Sequence, residues 1–280
     1  MAVAARAQDA AIPAPVPEER AAGTQLPLWE AGIAGAGGLV PDYPASDHEN
    51  WRAVPYPFFI YRGTLFRSDE NGARLRAAHT SNFELDVSGD ASFAAREEST
   101  GARAGMPKLD DLFELGPNLR ITLARPAPHA RLLLDLPVRG IASVNGIRFA
   151  YRGLIFAPGL GPWGQNLFGT RWSGYSEVGV EFASQRLQDY YYSVPPQYAE
   201  PGRPAYAAHG GYLGSRLELG LSRPIGRSLR FFFYERMGYY NGAESADSPL
   251  FRAHVDNLVF AGLDWTFLKS KETVEQAAEQ

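Results

Sequence analysis

The densest group of side chains able to do chemistry in this sequence is Asp42, Ser46, Asp47, His48 and Glu49, all within one short stretch. Carboxylates, a hydroxyl and an imidazole at that density could hold a divalent cation. Their spacing matches no calcium-loop pattern and no recurring histidine motif accompanies them, so the stretch reads as a solvated acidic loop. His79, His129, His209 and His254 are dispersed, and a pair such as Ser143 with His129 would act together only if folding joined them. No nucleophile motif supports that chemistry. Gly35, Gly37 and Gly38 lack the following helix and the Lys-Ser/Thr of a phosphate cradle; they read as places where a strand packs closely or bends. With no cysteine, a disulfide framework, a thiolate zinc site and a thiol nucleophile are excluded. A net charge of -4 gives no electrostatic case for nucleic acid. The chain therefore reads as non-enzymatic, with no catalytic residue, cofactor or metal.

The elements that would position any site are strands. Aromatics make up 12% of the 280 residues and there are 29 glycines, the bias of many strands separated by turns. Period two dominates. Leu132, Leu134, Leu136 and Val138 share one face against Arg131, Asp135 and Arg139; Phe113, Leu115, Leu119, Ile121 and Leu123 oppose Glu114, Asn118, Arg120 and Thr122. The same split recurs in Val178, Val180 and Phe182 against Glu177 and Glu181, and in Leu213, Leu217, Leu219 and Leu221 against Arg216 and Glu218. Leu229, Phe231 and Phe233 oppose Arg230 and Arg236, and Val255, Val259, Ala261, Leu263, Trp265 and Phe267 oppose Asp256, Asp264 and Thr266. Helical spacing is almost absent.

Strands are expected near 28–38, 53–68, 73–92, 111–124, 130–143, 147–160, 173–193, 209–222, 227–239 and 254–267. Several exceed the roughly nine to eleven residues that a tilted membrane-spanning strand needs. No run of about 18 apolar residues is present, so a spanning helix is excluded while a barrel is not. Tight connections (PAPHA, RPIG) alternate with long ones (VPDYPASDHEN, the stretch from Ala94 to Lys108, PPQYAEPGRPAYAA, YNGAESADSPLF), as in barrels with short periplasmic turns and long extracellular loops. The fold expected is an all-β antiparallel transmembrane barrel of about ten strands, or twelve if the connection at 161–172 hides a hairpin. Residues 1–25 read as a flexible Ala/Pro segment, with Ala5-Arg6-Ala7 as the remnant of a truncated signal, 26–268 as the barrel and 269–280 as a charged tail.

In a narrow barrel the inward charges of both signs should pair: Glu84, Asp86, Glu114, Arg120, Arg131, Asp135, Arg139, Arg216, Glu218, Arg230 and Asp264 form the expected lumen network, and the interior should be filled. Tyr56, Phe58, Phe59, Tyr61, Tyr190, Tyr191, Tyr192, Tyr239 and Tyr240 read as interfacial girdles. Trp163, Phe168 and Trp172, in the exceptional connection, are the candidate partner contact, with a girdle as the competing role.

Several segments resemble the MipA/OmpV family of Gram-negative outer-membrane proteins. WEAGIAGAGGLVPDYPASDH is similar to that family's first strand and loop, GMPKLDDLFELGP to its central loop-to-strand passage and LPVR to the next strand. DYYYSV followed by RPAYAAHGGYLG resembles its signature, and ADSPL its last loop, so the resemblance covers roughly residues 28 to 270. Ala45 stands where the family tends to have glycine, and LKSKETVEQAAEQ extends past Phe267, where barrels commonly end. The resemblance implies a barrel in contact with outer-membrane lipid, acting as a scaffold that binds a lytic transglycosylase and a murein synthase. It transfers no catalytic residue. A small passive channel or uptake barrel, or a surface adhesin, are the alternatives.

Overall fold

The computed structural model describes residues 25–62, 66–69, 72–92, 101–226 and 228–275. The first 24 residues of the Ala/Pro segment and the last five of the tail lie outside the described residues. Where period two is uninterrupted, the chain forms long antiparallel strands: β1 (Gln25–Pro27), β2 (Trp29–Pro41), β3 (Glu49–Arg62), β4 (Phe66–Asp69), β5 (Gly72–His79), β6 (Phe83–Ser92), β7 (Asp111–Ala127) and β8 (Ala130–Asn145). They continue as β9 (Arg148–Phe156), β10 (Gly159–Gly164), β11 (Ser173–Ala183), β12 (Gly211–Pro224), β13 (Leu229–Tyr239), β14 (Val255–Lys269) and β15 (Thr273–Glu275). Among the described residues one α-helix, α1 (Gln185–Tyr192), lies between β11 and β12.

Neighbours in sequence are neighbours in the sheet from β2 to β9, and β14 returns to pair with β2. β9 and β10 act as one interrupted strand: both pair with β8 on one side and with β11 on the other, which closes the barrel. Counted so, the wall has twelve strands among the described residues. The extra pair does not come from the connection at 161–172. It comes from the runs 53–68 and 73–92, which fold as β3 with β4 and β5 with β6, because Thr80 caps a turn between β5 and β6 by accepting the Phe83 amide at 3.1 Å. Alternation alone cannot locate a tight turn inside a run that keeps its period on both sides. β3 meets β4 only through Tyr61–Ser68 and Arg62–Arg67. Higher on β3, Pro55 and Pro57 have no amide hydrogen, so the ladder to β2 must run through the even-numbered residues between and beside them.

The wall is apolar outside and polar inside. Along β2, Ile33 and Leu39 face out, while Gly32, Ala34, Ala36 and Gly38 are buried on the inner face. The small inner residues are required: a Cβ on Gly38 would sit 1.8 Å from the Val259 carbonyl oxygen, and one on Gly32 would overlap the Phe58 ring. Exposed aromatics form two outward bands. At the rim carrying the termini, Trp29 stacks on Phe59 at 6.1 Å, Trp265 meets Phe267 at 5.5 Å and Trp172 meets Phe231 edge-on at 6.0 Å. At the opposite rim Trp51, Phe149, Tyr151 and Tyr239 are exposed. Trp51 and Phe59 are eight residues apart on β3, about 26 Å of strand and about 20 Å of height at a ~40° tilt. That is close to the apolar band of a membrane-spanning barrel, and among the described residues no helix is long and apolar enough to cross a membrane.

The girdle is therefore present but differently composed. Phe59 and Tyr239 belong to it; Phe58 faces inward, and Tyr192 and Tyr240 are buried at 1% and 3% exposure. The strand expected over 173–193 ends at Ala183, where the chain turns into α1. Three consecutive tyrosines favour a strand locally, but here Leu187, Gln188, Tyr191 and Tyr192 return to one side of a two-turn helix. The tail, expected to be flexible, carries β15 within its described part, and β15 pairs with β1.

Candidate functional site

Three places could carry function: the lumen, the mouth where the long loops gather, and the turn between β10 and β11 on the terminal rim. The lumen network is built from facing strands. On β7 and β8 the Arg120 Nε donates to Asp135 Oδ1 at 2.8 Å, and the Asn118 amide donates to the same oxygen at 3.1 Å. Glu84 and Asp86 on β6 stand directly across the ladder from Arg120 and Asn118. Arg139 lies 3.5 Å from Glu114, and Arg230 lies 3.6 Å from Asp264. The tightest group centres on Arg216 of β12, which reaches Glu177 and Glu181 on β11 (3.8 Å to the latter) and Glu218 at 2.8 Å on its own strand. Arg236 of β13 completes it, donating to both oxygens of Glu181 at 2.6 and 2.7 Å. Of the expected lumen charges, Arg120 meets Asp135, Arg139 meets Glu114, Arg216 meets Glu218 and Arg230 meets Asp264. Glu177, Glu181 and Arg236 were missing from the expected network, although the same alternation places them on its face.

Above this charged layer the mouth is filled. Leu187 and Tyr192 of α1 pack with Tyr43 and Leu250 from two long loops, against inward residues of the wall such as Leu112, Ile141 and Leu213. Leu213 reaches the plug because a bulge opposite Glu181 and Phe182 turns it from the outer face to the inner one. Tyr192 donates to the Pro44 carbonyl at 2.8 Å and accepts, through its own carbonyl, the Ser248 hydroxyl at 2.6 Å. Burial holds the Tyr192 hydroxyl well above the usual phenol range, so it remains a neutral donor. Gln188, fully buried, accepts from Ser245 at 2.6 Å and donates to the Gly211 carbonyl at 3.3 Å. Arg203 laces two loops by donating to the Ala102 and Ala104 carbonyls at 3.0 and 2.7 Å.

The first-loop residues serve this plug. Asp42 accepts from the Asn50 amide, and Asp47 lies 3.4 Å from Arg252. Ala45 is buried with φ 63, a left-handed backbone that favours glycine and explains glycine at this place in the resembling family. It is held there by Asp256, which accepts its amide at 3.0 Å, and by the amides of Arg252 and Ala253, both donating to its carbonyl at 2.9 Å. Ser143 and His129 are not brought together: His129 immediately precedes β8 and Ser143 lies near its far end, about 46 Å of strand away. Ser143 instead accepts from Arg152 Nε at 2.8 Å.

On the terminal rim the structure divides the three aromatics of the 161–172 connection. Trp163 lies on β10 opposite Arg131, half-buried and facing inward, with the guanidinium 5.7 Å from its ring. It is neither a girdle residue nor an exterior contact, because β10 continues the wall through Gly164. Trp172 packs on Phe231 and under Arg223, within the outward aromatic band. Phe168 alone stands free, fully exposed, at φ 55 and ψ 31. That conformation costs an aromatic residue on the order of 1–2 kcal/mol. The turn enforces it: Leu167 tucks against Gly164 and Gly174, while the Gly169 and Thr170 amides donate back to Asn166 and Leu167, each at 3.0 Å.

Among the described residues the geometry is thus a closed strand ladder with an apolar cluster at its mouth and one aromatic ring projecting from the terminal rim. A solved structure described as a bacterial polysaccharide outer membrane secretin aligns with 86% of this chain and 98% of its own, at TM-score 0.40 and 10% identity. That likeness is too distant to speak to function. No curated protein matches the sequence. The family described as MltA-interacting protein MipA matches residues 33–267, which span the wall from β2 to β14 together with the plug, and the chain belongs to that family.

Proposed function

We propose that this protein is a non-enzymatic outer-membrane barrel of a Gram-negative cell that scaffolds murein-handling enzymes, a lytic transglycosylase and a murein synthase, from its terminal rim. The family description names an interaction with MltA, and the two aromatic bands set the height at which the wall sits in a bilayer. With an even strand count both termini and the β10–β11 turn face the murein layer. The observation that carries the docking role is Phe168: a fully exposed aromatic ring held at a positive φ by an otherwise well-bonded turn. Backbone strain of this kind persists where the surroundings enforce it, and exposed aromatics are frequent anchors of interfaces.

The test separates stability from docking. Phe168→Gly relieves the left-handed strain, so the barrel should lose no heat resistance and gain up to about 1 kcal/mol. Capture of a lytic transglycosylase from solubilised envelopes should fall about ten-fold or more. Phe168→Leu should retain most of the capture. If Phe168→Gly captures as well as the unaltered protein while loss of residues 1–25 or of Lys269 to Gln280 abolishes capture, the contact lies on the terminal segments.

A passive channel is the second reading, and the filled interior weighs against it. Planar-bilayer recordings of the unaltered protein are expected to show no large, steady conductance, because crossed ion pairs occupy the lumen and an apolar cluster closes the mouth. Porin-like steady currents would promote the channel above the scaffold.

A further inference from the structure

At the loop rim, beside the apolar cluster of the mouth, a cleft of about 750 Å³ opens between the 101–110 loop, α1 and the hairpin joining β8 to β9. Its lining carries Arg103, Lys108, Arg152 and Arg186 against only Asp110 and Asp189, a cationic excess in a chain whose net charge is -4. Asp110 already faces Arg152 at 3.4 Å, and Asp189 accepts the Ser193 hydroxyl at 2.8 Å. Both carboxylates are thus partly satisfied within the protein.

Aromatic rings interleave with the cations. Arg152 lies 4.2 Å from the Tyr190 ring centroid and Arg186 lies 5.5 Å from that of Tyr151. Tyrosine rings beside guanidinium groups offer their uncovered faces to a saccharide, and the guanidinium groups offer donors to phosphate oxygens. Tyr151 also belongs to the outward aromatic band, and Phe149, two residues before it on the same strand and face, is 73% exposed. One wall of the cleft therefore continues directly onto the apolar exterior of the barrel. The volume lies within the range of small-molecule sites and accommodates a disaccharide-sized group.

From this juxtaposition we infer that the cleft binds a phosphorylated saccharide head group, with any attached acyl chains lying along the Phe149–Tyr151 face. The assignment of acyl chains to that face rests on the outer-membrane reading; recognition of the head group does not. A lipid and a free phosphorylated sugar share this chemistry, and the experiment distinguishes them.

The full-length protein, folded in zwitterionic detergent, is titrated with a bisphosphorylated glycolipid, with its dephosphorylated counterpart, and with a soluble phosphorylated disaccharide lacking acyl chains. Lys108 and Arg186 are both exposed, so the double variant Lys108→Ala/Arg186→Ala should keep the heat resistance of the barrel. It is expected to bind the glycolipid at least ten-fold more weakly, and the unaltered protein should lose a similar factor on the dephosphorylated lipid. Binding of the soluble disaccharide with the same dependence on the two residues supports the site with a free sugar as ligand. Binding of the acylated form alone supports it with a membrane lipid. Glycolipid affinity indifferent both to the double variant and to the phosphates overturns the inference, whatever the outcome for murein-enzyme capture.

Discussion

Arg216→Glu is expected to destabilise the barrel by on the order of 3–5 kcal/mol, the largest loss from any single lumen substitution. Arg216 is 7% exposed and faces three carboxylates on two strands, so the change replaces the central cation by a fourth negative charge. Arg236 alone cannot compensate, since it is already bound to Glu181 through both oxygens. Arg216→Met separates repulsion from lost pairing and should fall between the charge reversal and the unaltered protein. Arg139→Glu, at a site where both partners keep about a fifth of their side chains exposed, should cost much less. The measurement is the temperature at which each variant loses its compact, unboiled band on denaturing gels. Equal losses for Arg216→Glu and Arg139→Glu would mean that the central cluster is solvated and carries no special weight.

Tyr192→Ala should cost about 3–5 kcal/mol locally, yet leave the wall closed. The ring packs edge-on against Tyr43 at 6.4 Å and tilted against Phe251 at 6.2 Å, and its hydroxyl bonds to Pro44, so one side chain ties its own connection to two other loops. The strand ladder below does not depend on those contacts, and a closed barrel has no free edge from which to unzip. Limited proteolysis from the loop side is therefore expected to cut after Arg186, Arg203 or Arg252 in the variant and not in the unaltered protein, with the gel shift on boiling preserved. Tyr192→Phe, which removes the hydroxyl alone, should cost about 1 kcal/mol and leave those sites protected. Loss of the compact band in Tyr192→Ala would mean that plug and wall form a single cooperative unit.

By itself the sequence determined the class of fold and which face each residue of a strand presents. Alternation needs only the two-residue repeat of a strand, so Glu114, Arg120, Asp135 and Arg230 were legible as inward and Leu217, Leu263 and Trp265 as outward. Strand count was not legible, because the ends of β3 and β5 fall inside runs that keep their period. Face also failed at Leu213, where one bulge residue reverses the parity of everything on its far side. The helix was hidden by the strand preference of Tyr190, Tyr191 and Tyr192, which packing against Tyr43 and Leu250 overrides. Which charges meet was likewise decided only by the tertiary structure: Arg216 joins Glu177 and Glu181 because of the register between β11 and β12, and register depends on turns and bulges that period two does not encode. The same holds for the candidate contact. Trp163, Phe168 and Trp172 look equivalent along the chain, but the continuation of β10 turns the first inward, the outward band takes up the third, and the left-handed turn leaves Phe168 alone in solvent.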